Sequence, residues 1–323
     1  ISLKSMFISL LFIISGISLV WISADRLGKY SILAATNLGV STFFISSTLI
    51  ALGTSAPEML TSLFAVLEDK GTMVIGNVVG SNIANLSLVF GFTLLILGIK
   101  KEKISSSKVE TSDLVLLLLA TILAWAMIAS RPFSFLFSLI LIFSLVLIIL
   151  FWYFRKKTDL KELPASDQEK SVTMKLIFSL IVLVIGAWLI TQGAMKVLNE
   201  FGLKELFVGY TVLAIGTSLP EIAASFALAI RGKYAAVAGT LIGSNIFNSL
   251  FVLAIPGLFN KESILSKNWI YQDYLSLLII LLFSTLLFCV YLYQIKKEAK
   301  NASFLIGISF LTIYFLSLGI AFK

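Results

Sequence analysis

The chain has 323 residues, 59% of them hydrophobic and only 13% charged, with a mean hydropathy of +1.02 and a formal charge of +8. A soluble domain carries about 25% charged residues, so this chain has too few to cover a water-exposed surface. Histidine is absent and Cys289 is the only cysteine, which excludes a Ser-His-Asp triad, a Cys-His dyad, His or Cys zinc centres and a disulfide scaffold. The composition is that of an all-α polytopic membrane protein.

A helix needs about 20 mostly apolar residues to cross the hydrocarbon core. Ten such stretches follow one another, at 5–24, 38–67, 72–98, 112–130, 133–154, 173–197, 204–230, 234–259, 271–295 and 301–321. The first follows Lys4 and no small-residue cleavage site stands clearly behind it, so it reads as a retained span rather than a signal peptide. The second, third, seventh and eighth are long and rich in Gly, Ser, Thr, Asn and Pro, whereas the others are plain Leu/Ile/Val/Phe runs. The polar stretch 155–171, with Pro164 and mixed charges, divides five spans from five. The expected organisation is therefore a first five-helix unit over 1–154, a cytoplasmic linker over 155–172 that is too short for a soluble domain, and a second unit over 173–323.

With the N-terminus outside, 17 of the 25 Lys and Arg residues fall in inside loops, Arg26, Lys29, Arg231 and Lys233 among them. That bias sets the orientation, and with an even number of spans the C-terminus is outside as well. The net charge then belongs to cytoplasmic loops facing anionic lipid, and nucleic-acid binding is not needed to explain it. Asp25, Asp113, Glu205 and Asp273 fall at span ends and read as interfacial anchors; Trp21, Trp125, Trp152, Trp188 and Trp269 read as interface or lipid-facing residues.

An internal repeat carries the functional signal. Gly53-Thr54-Ser55-Ala56-Pro57-Glu58 returns as Gly216-Thr217-Ser218-Leu219-Pro220-Glu221, and Gly80-Ser81-Asn82-Ile83-Ala84-Asn85 returns at the same offset of 163 as Gly243-Ser244-Asn245-Ile246-Phe247-Asn248. Aligned without a gap, 53–91 and 216–254 share 15 identities in 39 positions. Eleven of the 15 identities fall on Gly, Ser, Thr, Pro, Glu and Asn, whereas shared membrane composition would match Leu with Leu. Five spans per half is an odd number, so the second half enters the membrane upside down. Inverted halves with a midplane site on broken helices are the architecture of many secondary transporters.

Glu58 and Glu221 lie well inside long apolar spans, where an ionisable side chain costs at least about 2.5–3.5 kcal/mol at the centre. Pro57 and Pro220 cannot donate to the carbonyls of Gly53 and Gly216, so those helices are expected to break. A freed carbonyl at membrane depth needs another partner, and a cation can serve. Thr54, Ser55, Ser81, Asn85 and their counterparts add neutral oxygens. Carboxylates, carbonyls, hydroxyls and amides without Cys or His donors make a hard-cation site, suited to Ca²⁺ or Na⁺ rather than zinc, copper or iron. Gly76-xxx-Gly80 and Gly239-xxx-Gly243 equally fit close helix approach. Ser62 and Ser225, one turn past each Glu, read as packing or back-bonding hydroxyls.

At these residues the sequence resembles the cation/Ca²⁺ antiporter superfamily, specifically the prokaryotic sodium/calcium exchangers. The two Gly-Thr-Ser-x-Pro-Glu and Gly-Ser-Asn-Ile-x-Asn segments are similar to that family's two alpha repeats, and the likeness extends over essentially the whole chain. The resemblance implies ten transmembrane helices as two inverted five-helix repeats, with helices 2, 3, 7 and 8 broken around a midplane ion site held by segments 51–91 and 214–254. Glu58 and Glu221 would be the central carboxylates shared by Ca²⁺ and Na⁺. Thr54, Ser55, Ser81 and Asn85 would complete one half-site, and Thr217, Ser218, Ser244 and Asn248 the other. The backbone carbonyls of Ala51 and Ala214 would serve flanking Na⁺ sites, and spans 1 and 6 would slide against the other eight. One position departs from the pattern: relatives often carry Asp where this chain has Asn248, which leaves two central carboxylates, enough to neutralise one Ca²⁺ or two Na⁺.

The expected function is secondary antiport of Ca²⁺ against Na⁺ by alternating access, in a prokaryotic cell (inner) membrane. The transported ions are the only small partners called for, without a cofactor, nucleic acid or obligatory protein partner. The nearest alternative is H⁺/Ca²⁺ exchange with the Glu pair cycling through protonation. A cation channel fits less well, since its filter is normally a ring about an oligomer axis. An intramembrane hydrolase using Ser55 or Ser218 lacks a histidine base and the nucleophile elbow, so the chain is not expected to be an enzyme.

Overall fold

The computed structural model describes residues 3–67, 71–99, 103–104, 109–130, 133–155, 171–198, 214–259, 272–297, 300–301 and 304–321. Among these residues the chain is helical apart from two short strands, β1 (Lys103–Ile104) and β2 (Lys300–Asn301), which pair antiparallel. Among the described residues seven helices are long and apolar enough to cross a bilayer, and three shorter apolar helices (Val172–Gly186, Leu219–Ile230 and Phe304–Ile320) coincide with parts of the remaining three expected spans. Large apolar side chains such as Phe143, Phe154, Leu305 and Leu316 point outward, as lipid contact requires. The chain is an integral membrane protein.

Helix α1 covers Leu3–Leu38, well past the expected end at residue 24. No proline interrupts it, and Leu27, Ser31, Ala34 and Ala35 continue a buried stripe at helical spacing beyond the charged residues. Arg26 and Lys29, expected in a loop, therefore sit on the helix. The nearby Asp25, largely exposed, accepts from Arg231 at 2.5 Å. The chain turns at Gly39, whose φ of 63° is open to glycine, and Val40 N–H closes the turn onto the Ala35 carbonyl at 3.1 Å. The second span accordingly starts later than expected. Ser41 caps α2 (Thr42–Ile45) by accepting from the Phe44 amide. A π-helical segment, Ser46–Ile50, leads into α3 (Ala51–Thr54), and α4 (Ala56–Leu67) follows.

The interruption between α3 and α4 is at Ser55 (φ −80°, ψ 3°), two residues before Pro57. The third span, expected to be broken, instead runs through α5 (Gly71–Ile83), a π segment at Ala84–Val89 and α6 (Phe90–Ile99). The widened turns redirect carbonyls without stopping the helix, a device common at functional sites. Next come α7 (Thr111–Ser130), α8 (Phe135–Arg155) and α9 (Val172–Leu198). Residues 156–170 of the expected linker and 204–213 of the expected seventh span lie outside the described residues. Helix α10 (Ala214–Thr217) is divided from α11 (Leu219–Ile230) at Ser218, whose φ of −79° and ψ of 0° repeat those of Ser55. Then follow α12 (Tyr234–Phe247), a third π segment at Asn248–Val252, α13 (Ile255–Leu258), α14 (Gln272–Lys297) and α15 (Phe304–Ala321).

Helix α12 is the centre of the bundle: every residue from Ala236 to Phe247 is buried. Its two glycines bring it onto the second span. A Cβ on Gly243 would meet Ala51 Cβ at 2.6 Å and the Ser47 backbone, and one on Gly239 would meet the Phe43 carbonyl at 3.0 Å. This is the small-residue contact that replaces a hydrophobic driving force inside a membrane. Helices α1 and α9 lie along each other, and a Cβ on Gly186 would meet the Gly16 carbonyl at 2.9 Å.

The tryptophans correct one expectation. Trp188 is half exposed, but Trp152 is fully buried. Its indole N–H donates to Asp113 Oδ1 at 3.0 Å, and the Glu110 amide donates to Asp113 Oδ2 at 2.8 Å. Asp113 is therefore no interfacial anchor; it is a buried acceptor that ties α7 to the end of α8. Glu110 and Ser112 also take Arg155, at the C-terminus of α8. Glu205, Trp269 and the side chains of Trp21 and Asp273 lie outside the described residues.

Candidate ion-binding site

Each half of the site is a break in the helix, at Ser55 or Ser218, followed by a helix start. Glu58 is in the first turn of α4 and Glu221 in the first turn of α11, where unpaired amides favour negative charge. Both are fully buried. Neither Glu58 oxygen has a hydrogen-bond partner among the described residues, and Glu221 Oε2 has none either. Glu221 Oε1, in contrast, accepts from Ser244 at 2.7 Å and from Ser55 at 3.3 Å. The two carboxylates are close enough to repel each other, and the Thr217 and Ser81 hydroxyls lie beside Glu58.

The halves interlock reciprocally. Thr54 Oγ1 meets Ser244 Oγ at 3.3 Å, and the counterpart pair, Thr217 Oγ1 and Ser81 Oγ, meets at 3.4 Å. Ser55 also meets Ser244, at 2.9 Å. Reciprocal contact between equivalent residues is what a two-fold relation between two halves produces. Seven of the residues singled out in the sequence, Thr54, Ser55, Glu58, Ser81, Thr217, Glu221 and Ser244, therefore come together as one buried polar cluster.

Asn85 lies in the π segment of the third span and Asn248 opens that of the eighth. Both are fully buried, and neither amide has a hydrogen-bond partner among the described residues; the Ser218 hydroxyl is in the same condition. Ala51 opens α3 and its carbonyl takes the Thr54 hydroxyl at 3.3 Å. Ala214 opens α10, and its surroundings lie outside the described residues. Burying an amide or hydroxyl without a partner costs about 1–3 kcal/mol in proteins, and an unpaired carboxylate costs more. The unpartnered carboxylate oxygens of Glu58 and Glu221 in this cluster are unfavourable until a cation joins them. Every donor here is oxygen, and the set fits a hard cation.

Sequence reasoning missed Asn77. Its Nδ2 reaches Thr61 Oγ1 at 3.1 Å, Ser62 Oγ at 3.2 Å and the Glu58 carbonyl at 3.4 Å. Ser62, expected to pack or bond back along its own helix, is thus an acceptor for another span, while Ser225 has no partner among the described residues. Asn82 was passed over as well, though its amide crosses between the halves to Ser249 Oγ at 2.9 Å and the Asn245 carbonyl at 3.4 Å. A signal existed for Asn77: it stands one helical turn before Ser81 and two before Asn85.

A family model described as sodium/calcium exchanger protein matches residues 8–154 and 171–323. The chain belongs to this family. Among its relatives, the putative antiporter CaxA of Alkalimonas amylolytica is 33% identical over 260 residues, 77% of this chain and 80% of that protein. The sodium/calcium exchanger MaX1 of Methanosarcina acetivorans is 26% identical over 351 residues, covering 95% of this chain and 99% of MaX1. Among solved structures, the sodium-calcium exchanger NCX_Mj soaked with 100 mM Na⁺ and 10 mM Sr²⁺ matches with a TM-score of 0.78 at 27% identity, over 97% of this chain and 98% of that one. The protein is thus an ion-transporting antiporter of the prokaryotic type within the cation/Ca²⁺ superfamily.

Proposed function

We propose that the protein exchanges Ca²⁺ for Na⁺ by alternating access, through a single site shared by both ions. The observation that carries this reading is the buried cluster built by both halves, in which Glu58 and Glu221 keep carboxylate oxygens without a hydrogen-bond partner among the described residues. In this reading Glu58 and Glu221 are the central ligands. Thr54, Ser55, Ser81 and Asn85 complete one half-site, with Thr217, Ser218, Ser244 and Asn248 in the other, and the carbonyls of Ala51 and Ala214 flank them. The reciprocal pairs Thr54–Ser244 and Thr217–Ser81 support ten crossings arranged as two inverted halves. Both termini are placed outside. The Lys and Arg bias supports this orientation, and pairing of β1 with β2 supports an even number of crossings between the third and ninth spans. Because one site serves both ions, loading one requires release of the other, and the fluxes are coupled.

The test is Ca²⁺ uptake into proteoliposomes of purified protein under an outward Na⁺ gradient or an outward H⁺ gradient, with Glu58→Gln and Glu221→Gln alongside. Uptake that needs Na⁺ and vanishes in both variants is expected. Uptake driven by H⁺ alone would replace Na⁺ coupling by proton coupling. Undiminished uptake in either variant would remove that Glu from the site.

A further inference from the structure

The eighth span changes from α to π geometry at Asn248, and one side chain of the other half straddles that joint. Asn82, buried in the last turn of α5, directs both protons of its amide there, one to the Asn245 carbonyl at 3.4 Å and one to Ser249 Oγ at 2.9 Å. A carbonyl only accepts, so the amide nitrogen is the atom that faces Asn245. Asn245 and Ser249 are four residues apart, and Asn248 lies between them. The joint needs such support: the Asn248 N–H is shared between the Ser244 and Asn245 carbonyls, and a π turn is a rare, widened form of the helix. With Asn245 and Ser249 both held from α5, the segment cannot rotate about its axis without breaking a hydrogen bond, and Asn248 is held with it.

The repeat does not reproduce this clamp. Asn245, the counterpart of Asn82, has the same side chain and is equally buried, but the position equivalent to Ser249 is Leu86, which offers no acceptor. The Asn245 amide turns back instead to the Leu241 carbonyl of its own helix at 2.7 Å. We propose that Asn82 is a positioning residue which, through Ser249 and the Asn245 carbonyl, sets the orientation of the Asn248 amide at the ion site. This deepens the exchange reading and rests on it.

Ser249→Ala deletes one of the two contacts and Asn82→Ala deletes both. In proteoliposomes the KM for Ca²⁺ is expected to rise about five-fold in Ser249→Ala, the worth of one hydrogen bond, and further in Asn82→Ala, with no fall in maximal rate. Because Ser249 acts through Asn82, the double variant is expected to match Asn82→Ala alone. Asn245→Ala removes the same amide from the equivalent place and is expected to keep the KM of the parent, since that amide reaches only its own helix. An unchanged KM in Ser249→Ala, additive rises in the double variant, an equal rise in Asn245→Ala, or a fall in rate at constant KM would each overturn the proposal. If Asn82→Ala does not fold, Ser249→Ala, which loses a single oxygen, and Asn245→Ala decide the question between them. All of these outcomes leave the exchange reading intact. Absence of uptake by the unsubstituted protein would overturn both.

Discussion

Asn248→Asp tests how the charge of the site sets the stoichiometry. The fully buried acids among the described residues are Glu58, Glu221 and Asp113, and both oxygens of Asp113 are engaged, by Trp152 and by the Glu110 amide. Two carboxylates are therefore available to transported ions. One Ca²⁺ or two Na⁺ neutralises them, so an exchange of two Na⁺ for one Ca²⁺ carries no net charge. The substitution is nearly isosteric, and it breaks no side-chain hydrogen bond among the described residues, because neither polar atom of Asn248 has a partner there. It adds a third negative charge, and three Na⁺ then make the neutral loaded state. Three Na⁺ for one Ca²⁺ moves one charge per cycle, which couples the cycle to the potential by about 2.3 kcal/mol per 100 mV, or about 50-fold in the equilibrium Ca²⁺ ratio. The assay is Ca²⁺ distribution across proteoliposomes with potential clamped by a K⁺ gradient and ionophore, at fixed Na⁺. The unsubstituted protein is expected to ignore the potential and the variant to follow it. Potential dependence already present in the unsubstituted protein would refute the charge count, and identical behaviour of the two would refute the role of residue 248.

Two further substitutions test the scaffold. Gly243→Ala drives a Cβ into Ala51 Cβ and the Ser47 backbone; overpacking of this kind costs about 1–3 kcal/mol, and a melting temperature in detergent unchanged from the parent would contradict the close-approach reading of this glycine. Trp152→Phe removes the indole donor to buried Asp113, a hydrogen bond to a charged group worth about 1.5–3 kcal/mol; thermal stability should fall while the KM for Ca²⁺ stays put, and a shifted KM would mean that this cluster communicates with the site.

The functional segments were legible because their residues have individual chemistry. Gly, Pro, Glu and Asn mean something at a fixed spacing, whereas a Leu in a membrane span means little, so an offset of 163 stood out, and with it seven residues that the fold gathers into one buried polar cluster. Span boundaries were harder. Helix α1 continues to Leu38 because Leu27, Ala34 and Ala35 find tertiary partners, and the sequence around Asp25 and Arg26 looks like a membrane exit. Trp152 resembled an interfacial residue for a similar reason: its partner Asp113 is 39 residues away, brought close only by the packing of α7 on α8. Asn77 escaped because the search followed identities between the halves, and its counterpart is Thr240. The repeat revealed what the halves share and concealed what distinguishes them.

That distinction bears on how a symmetric scaffold can run an asymmetric cycle. If the halves were chemically identical, the two carboxylates would bind an ion equally well and neither would lead. Here Ser244 and Ser55 already satisfy part of Glu221, so a cation reaching that side displaces or shares donors it must compete with. Glu58 offers two bare oxygens, and unpartnered buried charge is the costlier condition. Ser55 of the first half donates to Glu221 of the second, and Thr217 of the second lies beside Glu58 of the first. On the proposed exchange reading neither half is a site by itself, so a movement that separates the halves is expected to weaken ion binding.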